Sequence, residues 1–521
     1  MQTALLRENP GMSSQPIPAL STAQRLDQVV LRHARTRPSA VALVQDGHTL
    51  NYAQLAGRVD QACAQLRAWG VNESDRVASL SFNSCDMLVL LLALARLGGI
   101  LAPLNYRLAE AEWDQLMQDC QPRLVLHDDA WSQPAQALAS RHGVLAQAYA
   151  LLSSPAVETE VRWAADDNTP HVSSGDVHDA RPVLLVYTSG TTGRARAAVH
   201  TQANVMANMA AACHGQQLTE HDRVLTVLPL FHVGGLCIQT LPALGAGAQV
   251  VVHARFDAQA MLQSIAQARI GLTVVVPAVM KALLEHPLWA QTDLSSLRCV
   301  MAGSSHLPEP LVQAFLSRGV PMGNVYGATE TGPYSIALTQ DNAQMLLGSC
   351  GRPAQGVQAC LGPLEGAEPD TGEVWLRGPA LVRHYWPDIP ALDEHGWFHS
   401  GDVARVSPEG VWTIVGRSKD MIISGGENIY PAEIETLLAQ HPAVLECTVL
   451  GMPDARWGER VVAVVVVQEH AKVSDDELMA GVRERLARYK HPRELVRLQA
   501  LPKTALGKVQ KSLLKEQLSA P

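Results

Sequence analysis

Between Pro182 and Tyr326, short β-branched or apolar runs alternate with helix-like segments, and this pattern restricts the chain to folds built around a parallel sheet. The runs are Val183–Tyr187, Val224–Leu228, Gln249–Val252, Leu272–Val276, Arg298–Met301 and Gly323–Tyr326. Between them lie candidate helices such as Thr201–Cys213, Ala258–Ala268 and Glu309–Ser317. Parallel strands need a crossover before they can pair, and a helix is the compact crossover. Sheets of this kind take ligands in the loops beyond the carboxyl ends of their strands, so chemistry is expected there.

The alternation extends upstream, less sharply, from about Leu26 to Leu126. Residues 348–415 change texture to short strands broken by Gly and Pro, which reads as a small β-rich unit. After Gly416 the pattern is mixed: a helix from Pro431, strands at Val444–Leu450 and Val461–Val467, a helix near Asp475–Arg488, and a basic tail ending near Lys515. With 521 residues, more than one folded unit is expected. The expected class is α/β. A loose leader covers 1–20, a large N-terminal domain of βα units covers 21–418 with the β-rich subdomain at about 348–415, and a small α+β domain covers 419–521.

Composition narrows the partners. Hydrophobic residues make up 47% and charged residues 17%, enough for a large core, and the formal net charge of −9 argues against nucleic acid as the main partner. The nine Cys are scattered, with no CxxC pair or His/Cys metal spacing, which fits a reducing cytoplasm. The longest apolar run, Met87 to Ala95, stops at Arg96 and falls well short of the roughly 20 residues a membrane span needs. The expectation is a soluble cytoplasmic protein with no integral membrane association; a homodimer stays open.

The segment Tyr187-Thr-Ser-Gly-Thr-Thr-Gly-Arg194 follows a strand directly. Two glycines among hydroxyl residues let backbone N–H groups and side-chain hydroxyls close around phosphate oxygens, and Arg194 and Arg196 add positive charge. No Gly-Lys-Ser/Thr follows, so this is not a Walker loop, and a plain polar turn is the bland alternative.

Further segments follow in order: Leu228-Pro-Leu-Phe-His232, Tyr326-Gly-Ala-Thr-Glu330, Gly372-Glu-Val-Trp-Leu-Arg377, Gly401-Asp402, Gly416-Arg417 and Pro502-Lys-Thr-Ala-Leu-Gly-Lys508. Together with the phosphate-loop segment they resemble the adenylate-forming superfamily over about residues 25–515. That superfamily includes acyl- and aryl-CoA synthetases, luciferases and peptide-synthetase adenylation domains. The resemblance implies ATP, Mg²⁺ and coenzyme A as reactants or cofactors, with a small organic carboxylate as substrate.

It also implies roles, position by position. Thr188, Ser189, Gly190, Thr191, Thr192 and Gly193 would shield the β- and γ-phosphates. Thr329 would bond the α-phosphate, Glu330 would hold the metal, and Arg196 would supply charge beside them. Tyr326 and Gly327 would lie against adenine on one side, and Gly303, Ser304 and Ser305 on the other. Asp402 would accept from the ribose hydroxyls, assisted by Arg417. Lys508 would reach the substrate carboxylate and the α-phosphate. His232, Val233, Gly327, Gly332 and Pro333 would border the acyl pocket. The resemblance further implies that the small lobe is mobile and pivots at Lys419. It would then present a CoA face of Ser424, Gly425, Gly426, Trp457, Tyr489 and Lys490, in which Trp457 follows the 4-chlorobenzoate:CoA ligase pattern.

The chain departs from the family at Ala195-Arg196-Ala197, where Pro-Lys-Gly is usual. Arg196 keeps the charge, but Ala197 gives up the freedom of a glycine, which puts the loop geometry and the adenylation rate in question. No carboxylate follows Phe231 to pair an ammonium, so an amino acid is disfavoured. Small and apolar pocket residues suit an aromatic ring or a short-to-medium aliphatic chain. The alternatives are an enzyme that passes its adenylate to a carrier protein, and a catalytically silent nucleotide-binding homologue.

Overall fold

A computed structural model describes residues 25–153, 180–188, 195–303, 307–339, 348–364, 366–424, 427–454, 456–486, 488–504 and 508–519. The expected leader over 1–20 lies outside them.

The βα alternation builds two large sheets rather than one. The first runs Arg352–Pro353, Ile336–Leu338, Met322–Tyr326, Cys299–Gly303, Leu272–Val275, Arg223–Thr226, Gln249–Val252, Val41–Gln45, His48–Asn51. Its members from Met322–Tyr326 through Val41–Gln45 are parallel, and the edge strands are antiparallel. The second runs Ile389–Pro390, His384–Tyr385, Arg196–Thr201, Pro182–Thr188, Ile100–Pro103, Arg76–Leu80, Leu124–His127, Leu145–Ala148. The run at Val183–Tyr187 therefore belongs to a different sheet from the other five. The reason is local: Arg196–Thr201 returns antiparallel onto Pro182–Thr188 as a hairpin, which period alone does not reveal.

Helices fill the space between the two sheets. Cys85–Leu97 is buried on all sides, capped by the Ser84 hydroxyl at its start and left-handed Gly98 at its end. This is the apolar run Met87–Ala95, and its leucines pack into a cluster that joins both sheets. Each such leucine contributes about 1.5–3 kcal/mol of burial, so the run is core. Among the described residues no helix is long and apolar enough to cross a membrane. The helix Gln202–Gly215, with Thr201 as its cap, lies in the same layer.

The β-rich unit is a four-stranded antiparallel sheet: Gln358–Gly362, Thr371–Arg377, Phe398–Val406, Trp412–Arg417. A single helical turn, Ser418–Asp420, connects it to the last unit. There Ile422–Ser424, Glu427–Ile429, Val444–Asp454, Gly458–Val467 and Glu494–Arg497 form a five-stranded sheet with its own core under Pro431–Ala439 and Asp475–Arg485. The long hairpin extends past the expected strand ends because Asp454 and Gly458 still pair. The last turn of the expected helix near Asp475–Arg488 falls away: the helix stops at Arg485, and Arg488–Lys490 forms a separate short turn.

Candidate active site

The carboxyl ends of Cys299–Gly303 and Met322–Tyr326 deliver the residues that matter most. After Tyr326 the chain makes one tight turn, Thr329–Thr331, closed by Gly332 at φ +72. That left-handed geometry suits glycine and turns the chain back toward Ile336. The Thr331 hydroxyl accepts from the Ala328 N–H (2.9 Å), and the Val382 N–H donates to the Glu330 carbonyl (2.9 Å), so the turn is pinned on both sides. Thr329 is buried within it.

Tyr385 donates from its hydroxyl to one Glu330 carboxylate oxygen (2.9 Å). The Arg196 guanidinium lies over the same tyrosine ring, 5.8 Å from its centre. Glu330 makes no ion pair among the described residues, so its other oxygen keeps capacity for a cation. A single carboxylate working with substrate phosphates is how Mg²⁺ is commonly held, and the donor set fits that ion.

Ala195-Arg196-Ala197 is not a damaged loop. Arg196 and Ala197 are the first residues of the strand Arg196–Thr201, Ala197 is fully buried opposite Tyr187, and its carbonyl accepts from the Trp386 N–H (2.8 Å). The backbone there is extended, a conformation any residue adopts, so the missing glycine costs nothing in conformation. Thr188 donates to the Arg196 carbonyl (3.3 Å) across the hairpin. Ser189, Gly190, Thr191, Thr192 and Gly193 lie outside the described residues, as do Ser304, Ser305, Gly425 and Gly426.

Asp402 stands at the junction of the sheets. One of its oxygens accepts from the Tyr326 hydroxyl (2.8 Å) and the other from Arg417 Nε (2.8 Å). Burial, followed by the Asp402 charge, holds the Tyr326 phenol well above its usual range, so it stays protonated as a donor. Gly303, beside it in the sheet, has no room for a side chain, because a Cβ would stand 2.6 Å from the Val325 carbonyl oxygen.

His232 begins the short helix Val233–Gly235, and its Nδ1 accepts from the Gly234 N–H (3.1 Å), which leaves the proton on Nε2. Burial pushes its pKa down to about 4, and the Lys508 charge acts in the same direction, so the ring is neutral at pH 7. Asn83 holds this loop from below, donating to the Leu228 carbonyl (3.0 Å) and accepting from the Leu230 N–H (2.8 Å). Val233 is buried, and Gly327 and Pro333 lie against each other, since a Gly327 Cβ would meet the Pro333 carbonyl at 2.3 Å.

Lys508 comes from the small lobe, in a hairpin closed by the Lys503–Val509 bridge and by the Thr504 N–H on the Lys508 carbonyl (2.8 Å). Much of the residue remains open to solvent, yet its ammonium pKa is lowered, first by the protein crowded around it, then by Arg417. Asp402 and Glu330 oppose that shift, and Lys419 adds to it. The structure thus brings Lys508 into the field of both acidic groups and of His232.

The expected CoA face is only partly free. Lys490 is committed to Glu433 (2.5 Å), which also faces Arg405 of the β-rich sheet (3.7 Å). Tyr489 is exposed. Trp457 is held by its backbone N–H on Asp454 (3.0 Å), with the Arg493 and Arg456 guanidinium groups 4.2 and 4.8 Å from its ring. Ser424 is buried in the sheet, paired with Glu427. Sequence reasoning missed Tyr385; its one signal was an aromatic pair, Tyr385-Trp386, set before Pro387.

Comparison with known proteins agrees with this geometry. Residues 30–386 match the AMP-binding enzyme family, and residues 433–508 match the AMP-binding enzyme C-terminal domain. The chain belongs to the AMP-binding enzyme family, the adenylate-forming superfamily. Its relatives include the indoleacetate–CoA ligase of Aromatoleum aromaticum, 41% identical over 93% of this chain and 96% of that protein. A feruloyl-CoA synthase from an Amycolatopsis species is 38% identical over 94% of this chain and 98% of that one. Among solved structures, the o-succinylbenzoate CoA synthetase of Bacillus subtilis with its acyl-adenylate superposes with a TM-score of 0.81 at 29% identity, covering 96% of this chain and 98% of that one. ATP-bound MatB from Rhodopseudomonas palustris gives 0.83 at 27% identity, covering 95% and 99%.

Proposed function

We propose that this enzyme converts an aryl or short-to-medium-chain carboxylic acid into its CoA thioester through an acyl-adenylate, at the expense of ATP. The observation that carries this reading is the convergence of Lys508 from the small lobe on Asp402 and Glu330 of the large one.

In the first step a carboxylate oxygen attacks the α-phosphorus; an O–P bond forms, the bond to pyrophosphate breaks, and pyrophosphate leaves. Two anions must approach, so fixed positive charge and donors lower the barrier. Lys508 supplies a charge that can touch both the carboxylate and the α-phosphate. Thr329 donates to the phosphate, and Arg196 and Thr188 border the β,γ end. Glu330, oriented by Tyr385, would hold Mg²⁺, whose charge offsets that of the phosphates. Asp402 retains a lone pair on each oxygen for ribose hydroxyls, Arg417 holds it in place (2.8 Å), and Tyr326 offers its ring to adenine. His232, neutral, borders the acyl group without placing a charge beside it.

In the second step the CoA sulfur attacks the acyl carbon; a C–S bond forms, the C–O bond to AMP breaks, and AMP leaves as the thiol proton passes to solvent. The turn Ser418–Asp420, containing Lys419, is the pivot that would exchange Lys508 for the face bearing Trp457 and Tyr489. The indole with two guanidinium groups at its ring supports a site for the nucleotide end of CoA. Lys490, tied to Glu433, contributes to that end only if the lobe rotation releases it.

The test is ATP-dependent release of AMP and pyrophosphate across benzoates, cinnamates, arylacetates and linear acids, with and without CoA. CoA-stimulated turnover on one chemical class is expected. Pyrophosphate release indifferent to CoA would replace free CoA with a carrier protein. Silence across the panel, with ATP still bound, would favour the nucleotide-binding homologue.

A further inference from the structure

Glu330 is held twice by one stretch of chain, and that stretch does not support itself. The Glu330 carbonyl accepts from the Val382 N–H (2.9 Å), and its carboxylate accepts from the Tyr385 hydroxyl (2.9 Å). Residues 378–383 run between the strands Thr371–Arg377 and His384–Tyr385 without a ladder of their own. Ala380, Leu381 and Val382 are nevertheless buried, so the backbone polar groups here need partners from elsewhere in the protein.

The far end of the stretch is tied to the strand Arg196–Thr201: Tyr385 pairs with Ala198, and the Trp386 N–H donates to the Ala197 carbonyl (2.8 Å). The near end is tied by Asn204, buried in the first turn of the helix that follows that strand. Its amide nitrogen donates to the carbonyls of both Pro379 (2.8 Å) and Leu381 (2.9 Å). Carbonyls only accept, so this nitrogen must face them. The amide oxygen is left for Thr201, whose N–H (3.1 Å) and hydroxyl (2.8 Å) donate to it. Both hydrogens and both lone pairs of the side chain are thereby used. Ala380, between the two carbonyls, sits against the turn that carries Glu330: a Gly332 Cβ would stand 2.9 Å from the Ala380 carbonyl oxygen. One helical turn on from Asn204, Asn208 accepts from the Tyr334 N–H (3.2 Å), just beyond that glycine.

We propose that Asn204 is a positioning residue for the metal. By fixing Pro379–Leu381 it sets where Val382 and Tyr385 hold Glu330, and so how that carboxylate meets a divalent cation arriving with ATP. The proposal rests on the reading, given above, that Glu330 takes Mg²⁺ in an adenylating site. A residue that only capped its helix would need only the amide oxygen. The two donor bonds, spanning 175 and 177 positions of chain, serve the stretch that carries Tyr385.

The experiment follows Mn²⁺, in place of Mg²⁺, on the complex of the enzyme with α,β-methylene-ATP, through the EPR signal of the free ion. It needs no acid and no turnover. Asn204→Asp keeps the oxygen that Thr201 uses and removes both donors. Mn²⁺ should bind that variant about tenfold more weakly, the scale for a partner that orients a metal ligand, while the analogue binds unchanged without metal. Asn204→Ser keeps one donor; it should fall between, and it carries the test if Asn204→Asp does not fold. In the Tyr385→Phe background, Asn204→Asp should weaken Mn²⁺ by less than the product of the two single effects, because both act through one segment. Unchanged Mn²⁺ affinity would overturn the proposal. A parallel fall in metal-free nucleotide affinity would overturn it too, since that marks a general loss of structure. So would effects that simply multiply in the double variant. A native enzyme whose nucleotide binding ignores Mn²⁺ would overturn the metal assignment itself. Mn²⁺ behaving as expected, with no pyrophosphate released from any acid, would sink the acid-activating reading and leave this inference standing.

Discussion

The proposed nucleotide end and the proposed thioester face are built differently. At the first, Tyr326, Asp402 and Arg417 form an unbroken chain of 2.8 Å contacts, and Tyr385 fixes Glu330 at 2.9 Å. At the second, Tyr489 is 42% exposed, and Trp457 is held mainly by the stacking of Arg493 and Arg456. Preorganised charge is worth most where two anions must meet, because dipoles already in place need not reorganise during the reaction. Thioester formation joins a neutral acyl carbon to a thiol and needs less fixed charge. Its face can therefore sit on a lobe that touches the rest through Arg405–Glu433 and a small apolar cluster of Val403, Val415 and Tyr430.

Exchanging the roles of the two regions is the most severe test. Lys508→Ala should slow adenylation about 10²–10³-fold, the scale for removing one transition-state donor. It should spare thioester formation from supplied acyl-adenylate. Trp457→Ala should do the opposite, raising KM for CoA about tenfold while pyrophosphate release continues; a half-buried aromatic contact of this kind is worth about 0.5–2 kcal/mol. Single-turnover assays of each half-reaction read both. Equal loss of both steps in both variants would end the two-orientation mechanism.

Tyr385→Phe should cost about tenfold in kcat for adenylation, the scale of one hydrogen bond to a charged group. It should also raise the Mg²⁺ concentration needed for half-maximal rate, since Glu330 loses its orientation. An unchanged metal dependence would reduce Tyr385 to packing.

The smallest effect is in the pH profile. Lys508 has its pKa lowered from 10.5, so the charge it supplies is present below the lowered value and is lost as pH rises through it. The alkaline limb of kcat/KM for ATP, which reports the free enzyme, should therefore fall below 10.5. Lys508→Arg should move that limb upward at reduced rate, because a guanidinium stays charged. His232 works in the other direction. Its folded pKa of about 4 lies below the ordinary 6.5, so the folded state loses stability as pH falls from 6.5 toward 4.

Motif order was enough to name the groups proposed for the nucleotide end, because a carboxylate, a threonine on a tight turn and a lysine in a terminal loop keep fixed chain neighbours. Tyr326, Thr329, Glu330, Asp402 and Lys508 were named in this way. Tyr385 was not, since it reaches Glu330 from a two-residue edge strand 55 positions away. The doubt over Ala197 was likewise one the sequence could not remove: whether a residue needs positive φ depends on the hairpin it joins.

What the sequence by itself determined is the alternation of strands and helices, the apolar core helix Cys85–Leu97, and the chemical inventory of the site. Periodicity and residue type are local properties, and they survive being read one segment at a time. Only the tertiary structure decided that the alternation splits into two sheets, that Lys490 is spent on Glu433 while Lys508 lies in the field of Asp402 and Glu330, and that Tyr385 reaches Glu330. Each of these depends on which distant segments share a surface, and that is settled by packing and by the pairing of buried polar groups, neither of which leaves a period in the chain.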